Sequence, residues 1–163
     1  MAAILVGGLG FGVYWFAPQA LFISTTVNEA TPTVASVTQS LTPTTSTPTG
    51  TAPVTLARGS FRSLEHQTSG TAILLRLSDG TVILRLENLD TSNGPDVHVT
   101  LSPMVSTSGD RDYNNGYLDL GSLKGNKGNQ NYDVPAGTDL THFRSAVIWC
   151  KRFTVGFGVA PIT

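Results

Sequence analysis

At 163 residues and a formal net charge of −1, the chain has room for about one globular domain with an appendage. Only 13% of its residues are charged, against ~25% in an ordinary soluble domain, and the charges are unevenly placed: residues 1–28 and 30–57 carry none, so residues 58–163 hold ten acids against ten bases. No polybasic run exists, which argues against a nucleic-acid partner. The single cysteine, Cys150, excludes an intramolecular disulfide and a cysteine-built zinc site.

Residues 1–23 hold 17 apolar residues. As a helix, Ala2–Ile23 would be about 33 Å long, enough to cross a bilayer core of ~30 Å. Pro18 interrupts the segment, and Tyr14, Trp15 and Phe16 suit a membrane interface. The segment lacks the positive leader and small-residue cleavage site of a secretory peptide, so a retained transmembrane signal-anchor over 1–23 is favoured over a cleaved one. That reading predicts a single-pass protein of the cell membrane with its C-terminal part outside the cytoplasm. Residues 24–56 are expected to form a disordered linker. Their stretch 31–55 contains ten Thr, three Ser and four Pro, too few large apolar side chains to offset the entropy of ordering.

Residues 57–163 alternate with period two, which predicts an all-β domain, an antiparallel sandwich or barrel-like fold. The segment 69–88 reads as a hairpin about a two-residue Asp79-Gly80 turn. That turn sets Leu77 opposite Val82, Leu75 opposite Leu84 and Ile73 opposite Leu86. In the next strand Val97, Val99 and Leu101 share one face, and Asp96, His98 and Thr100 the other. Shorter strands are expected at Tyr117–Leu120 and Asn131–Val134, and two more at Ser145–Cys150 and Phe153–Ala160. In the last, Phe153, Val155, Phe157 and Val159 alternate with Thr154, Gly156, Gly158 and Ala160. Glycines at 156 and 158 predict that another group packs close there.

Three motifs carry a resemblance: Gly94-Pro95-Asp96-Val97-His98-Val99; Leu118-Asp119-Leu120-Gly121-Ser122-Leu123-Lys124-Gly125-Asn126-Lys127-Gly128-Asn129-Gln130-Asn131-Tyr132-Asp133-Val134-Pro135; and Val147-Ile148-Trp149-Cys150-Lys151-Arg152-Phe153. In this order they resemble the DM13 domain over about residues 58–162. The stretch from Trp15 to Ala30 also resembles the membrane-proximal part of bacterial proteins that carry this domain. The resemblance implies a small β-rich module outside the cytoplasm, found elsewhere beside haem-binding domains and linked to electron transfer. Its single cysteine, here Cys150, is then the redox candidate. It further implies an exported protein partner, a redox or haem protein.

The residues themselves leave Cys150 open between a redox thiol, with Arg152 nearby to favour the thiolate, and a small buried hydrophobe. A blue-copper site lacks its local ligands, since only His142 lies near and Met104 is the domain's one methionine. His98 with Met104 is a conceivable haem pair without a motif. Asp96 reads as a turn or strand-start residue beside His98, itself expected to be a hydrogen-bonded structural group. The loop 109–116 begins like a calcium loop but has Asn115 and Gly121 where a glycine and a bidentate glutamate belong. The glycines around Lys124 and Lys127 lack a phosphate-loop signature. Neither a catalytic triad nor a carboxylate pair stands out, so no cofactor, metal or independent catalysis is expected. The electron-transfer reading therefore competes with a cofactor-free extracellular binding or adhesion module whose cysteine is structural.

Overall fold

The computed structural model describes residues 24–32 and 52–163. The strands are β1 (Thr26–Asn28), β2 (Val54–Ser60), β3 (Arg62–Ser63), β4 (Ser69–Arg76), β5 (Val82–Asp90), β6 (Val97–Ser102), β7 (Leu118–Ser122), β8 (Lys127–Val134), β9 (Ser145–Cys150) and β10 (Val155–Pro161). They form two five-stranded sheets, ordered β1-β8-β5-β4-β2 and β3-β10-β9-β6-β7. Apolar residues of both sheets meet in one core, including Leu74, Leu84 and Leu86 from the first and Val99, Leu101 and Ile148 from the second. The expected all-β sandwich is therefore observed, with only single 3₁₀ turns at Asp112–Asn114 and Leu140–His142 as helix among the described residues. None of the helices among these residues is long and apolar enough to cross a membrane. The expected transmembrane helix over 1–23 lies outside them.

The β4–β5 hairpin corrects the expected register. Leu77 N–H donates to the Thr81 carbonyl (2.8 Å), so Ser78, Asp79 and Gly80 make a three-residue turn with Gly80 at φ 88°. The extra residue slips the ladder by one: Arg76 faces Val82, Leu74 faces Leu84 and Ala72 faces Leu86. Since a one-residue slip exchanges the faces, Leu74 rather than Leu75 joins the core beside Leu84. Ile73, Leu75 and Ile83 form a separate buried apolar set with Leu77.

The faces of β6 and β9 follow the alternation, with Val97, Val99, Leu101, Ile148 and Cys150 in the core and Val147 and Trp149 on the opposite side. In β10 the alternation breaks. A register shift between Gly156 and Gly158 leaves Phe157 in the core and sends Val159 to the Trp149 side. The expected close approach at the two glycines is present. A Cβ on Gly158 would lie 2.5 Å from Thr68 Cβ, and one on Gly156 would lie 2.6 Å from Leu64 Cδ1.

Within the segment expected to be a disordered linker, Thr26–Asn28 pairs in parallel with Lys127–Asn129 of β8, and β2 begins at Val54. Composition misses β1 because its stability comes from the receiving edge. A Cβ on Gly128 would lie 2.1 Å from the Val27 carbonyl oxygen, and one on Gly125 2.6 Å from that of Thr25. Only glycines leave room for a backbone so close.

Candidate functional site

One or two polar side chains from each of the three motifs converge at one end of the sandwich. Asp96 immediately precedes β6, and Lys151 N–H donates to its carbonyl (3.0 Å), tying the start of β6 to the end of β9. The outward side of β6 carries His98 at the register of Trp149 on β9 and Ser122 on β7. A register shift between Val99 and Thr100 then brings Asp119 opposite Thr100. The result is an imidazole held at both nitrogens: His98 Nδ1 is 3.0 Å from Asp119 Oδ1, and Nε2 is 3.1 Å from Asp96 Oδ1. Lys151 Nζ donates to the other Asp119 oxygen at 2.5 Å.

The His98 side chain is only 14% exposed, while Asp96 is 46% exposed. Asp96 is thus the cluster's open edge and Asp119 its inner hub. Partial burial works to raise the Asp119 carboxyl, but hydrogen bonds from Lys151, the Gly121 N–H and His98 outweigh it and hold the group below its ordinary value. Its hydrogen bond to Asp119 in turn raises the Lys151 ammonium. Two carboxylates against an imidazole and an ammonium suit charge recognition at the exposed Asp96 edge. Among the described residues the His98 ring nitrogens bond to two aspartates and to no serine, threonine or cysteine, so the arrangement lacks the nucleophile of a triad. The Thr100 hydroxyl on the same strand face is buried without a hydrogen-bond partner.

Cys150 lies one residue from Lys151 but faces the other way. It is 0% exposed, sits in the main core cluster and pairs across the ladder with Val97 and Val155. Strand β9 ends at Cys150, so Arg152 belongs to the exposed turn after it rather than to the cysteine's face. Trp149, beside the imidazole on the same sheet face, packs with Tyr113 and Tyr117, its ring 6.2 Å from that of Tyr117.

The remaining candidates are dispersed. His142 and Met104 lie at the opposite end of the sandwich, where Ser145 at the start of β9 bonds to the Met104 carbonyl (2.6 Å). The length of β6 separates His98 from Met104, about 20 Å at 3.3 Å per residue. The structure therefore does not bring the conceivable haem pair together. In the loop 109–116 the Asp112 carboxylate accepts from Gly109 N–H (2.8 Å). The fully buried Tyr113 donates to the carbonyls of Val105 and Ser108; this loop is organised around a tyrosine. Among the described residues no group of three or more His, Cys, Asp or Glu side chains could hold a metal.

A second polar cluster joins β1 to β8. The Glu29 carboxylate accepts from Lys124 Nζ (2.8 Å) and Asn131 N–H (2.7 Å), while Arg85, only 5% exposed, donates to the Glu29 carbonyl (3.2 Å). Thr25 N–H donates to Asn126 Oδ1 (2.7 Å). The turn receiving it is pinned from inside, for buried Gln130 donates to Gly125 O (2.6 Å) and accepts from Tyr132 O–H (2.7 Å). Burial raises the Tyr132 phenol to about 12. Between this turn and the Gly94-Pro95-Asp96 loop lies a polar cleft of about 260 Å³, bordered by Thr25, Asn93, Asp96 and Lys124.

The matched region contains this whole end of the sandwich except β1 and its flanks. A family model described as electron transfer DM13 matches residues 60–162. The chain belongs to the DM13 family. No curated protein matches the chain, and neither does any solved structure.

In this DM13 domain Asp96 stands at the strand start and His98 is hydrogen-bonded, as expected of each, and the two bond to one another. Sequence reasoning missed Asp119 and Lys151 as members. The available signal was Asp119 as an acid between two leucines of a β-patterned stretch, with Lys151 directly after a core strand. Glu29 was missed too, although it is the lone acid outside residues 58–163.

Proposed function

We propose that this DM13 chain is an electron-transfer module, tethered to the cell membrane by residues 1–23 and working outside the cytoplasm, with Cys150 as its redox group. One observation carries the reading: the thiol lies at the end of β9, directly behind the Asp96–His98–Asp119–Lys151 cluster. An exported redox or haem protein that docks on those charges is brought to the cysteine's end of the sandwich. In thiol exchange the Cys150 thiolate attacks a partner disulfide and one partner sulfur leaves as a thiolate. A dithiol of a second exported protein then attacks the Cys150 sulfur and frees the other partner sulfur as a thiolate. Its second thiol closes a disulfide within that protein and releases the Cys150 thiolate, so two electrons pass from the dithiol to the partner disulfide and Cys150 is regenerated. Because Cys150 is sealed, attack requires the turn 151–154 to open. Thr154 there is held at φ 56°, a conformation that disfavours a β-branched residue and stores local strain.

The complete burial of Cys150 favours a second reading, a cofactor-free binding module in which the cysteine only fills the core. Thiol trapping separates the two. For the redox reading, the native chain is expected to react with a thiol reagent far faster than its global unfolding rate, through local opening. Reaction no faster than global unfolding, with no chromophore in the absorption spectrum of the purified chain, leaves the binding module.

A further inference from the structure

We propose that the hairpin tip Lys151–Thr154 is a membrane contact, with Phe153 seated in the headgroup layer of the bilayer that holds residues 1–23. The inference rests on the tethered reading above and adds an orientation to it.

The first observation is how closely the chain is gripped after the proposed span. The apolar segment ends at Ile23, and Thr25 N–H is already bound to Asn126. Only Ser24 intervenes, which reaches about 3.5 Å when extended. The end of the sandwich that carries Asn126 is therefore held against the interface and cannot stand off on a stalk. The same end carries the loop 93–97, which borders one cleft with Thr25. Its Asp96 carbonyl in turn accepts from Lys151 N–H, where the hairpin tip begins.

The second observation is the distribution of exposed apolar groups. Among the described residues Val54, Val105 and Phe153 are the large hydrophobic residues left in the open, at 59%, 54% and 61% exposure. Val54 pairs with Arg76 at the far end of the first sheet, and Val105 follows the far end of β6. Phe153 alone of the three lies at the gripped end. An aromatic ring directly after Lys151 and Arg152 has the amphipathic character that suits a headgroup layer. Most charges at this end are already paired, Lys124 with Glu29, Lys127 with Asp90 and Lys151 with Asp119. The contact therefore depends on the ring rather than on net charge. A single ring would bind a bilayer weakly from solution, but the tether makes the contact intramolecular and a weak one suffices.

The test uses the unaltered full chain in vesicles of phosphatidylcholine with a minority of phosphatidylglycerol. Flotation establishes whether the chain is membrane-held, and hydroxyl-radical footprinting then compares three side chains. The expected result is that the chain floats and that Phe153 is protected several-fold relative to its 61% exposure, with Val54 and Val105 oxidised as exposed groups. Protection should persist as protein is diluted in lipid. A chain that floats with Phe153 fully oxidised overturns the contact and leaves the tether standing. Protection that fades on dilution also overturns it, because a second copy then covers the ring. A chain that fails to float removes the tether and the contact together.

Discussion

Two charged clusters, about a cleft's width apart, differ in what they connect. The Asp96–His98–Asp119–Lys151 cluster lies wholly inside the region matched by the family model, and it joins three strands of one sheet. The Glu29–Lys124–Asn131 cluster instead joins the family region to a segment outside it, the one directly following the apolar stretch. The first is built into the domain's own sheet; its removal should disturb the sandwich. The second is a clasp on a three-residue edge strand, and its removal should free the approach segment while leaving the sandwich intact. Equivalent bond lengths therefore need not mean equivalent energies.

The largest effect is expected at Asp119. Replacing it with alanine removes the carboxylate whose Oδ1 meets His98 and the Gly121 N–H (2.9 Å) and whose Oδ2 accepts from Lys151. It leaves an imidazole and an ammonium facing each other around a partly buried gap. Asp119→Ala should cost about 2 kcal/mol in a urea titration, and Asp119→Asn less, since one acceptor oxygen survives. A midpoint unchanged in both variants would place the cluster with ordinary surface ion pairs, which are worth little, and would erase the contrast with the clasp.

The clasp is broken most directly at Gly128. At φ 98°, with the Val27 carbonyl 2.1 Å from where a Cβ would sit, Gly128→Ala strains β8 and expels β1. About 1–1.5 kcal/mol of global stability should be lost. The sharper readout is local. The amides of Glu29 and Lys127, which bond to the Asn129 and Thr25 carbonyls, should exchange near the open-chain rate, while those of β9 keep their protection. Parallel loss of protection in β9 would show that β1 belongs to the cooperative sandwich.

Core and site were legible in the sequence to different depths. The faces of β6 and β9 could be read because uninterrupted alternation leaves one assignment. The faces of β4 and β10 could not, because one extra turn residue at Ser78 and one irregularity around Phe157 each exchange inside for outside, and neither leaves a mark on composition. Likewise Asp96 and His98 are two residues apart on one strand, so local periodicity places them together. Asp119 and Lys151 reach His98 only through cross-strand register. The strand β1 was hidden for a further reason. Thr26 and Val27 suit a strand, but three residues bury too little to order on their own, and the receiving edge at Lys124, Gly125 and Gly128 lies about 100 residues away.

The smallest effect distinguishes the clusters by acid titration. Burial works to raise the Glu29 carboxyl, and the Lys124 hydrogen bond, the Asn131 N–H and the charges of Lys124 and Arg85 outweigh it, so the group lies below its ordinary 4.5. Asp119 lies below its ordinary 3.8. A carboxyl lowered in the folded state contributes stability that is fully present above the unfolded value and is lost as pH falls through the folded one. The clasp therefore starts to weaken as pH drops below about 4.5 and the inner cluster only below about 3.8. Each loss should be below about 1 kcal/mol, since both carboxylates are partly solvated. Two amides report them separately: Asn131 N–H, bonded to Glu29, and Gly121 N–H, bonded to Asp119. Corrected for intrinsic rates, protection at Asn131 should decline first on acidification, and Glu29→Gln should abolish that decline without altering the Gly121 profile. A common midpoint for both amides would mean that they open in one step, and the clasp would then be an energetic part of the domain.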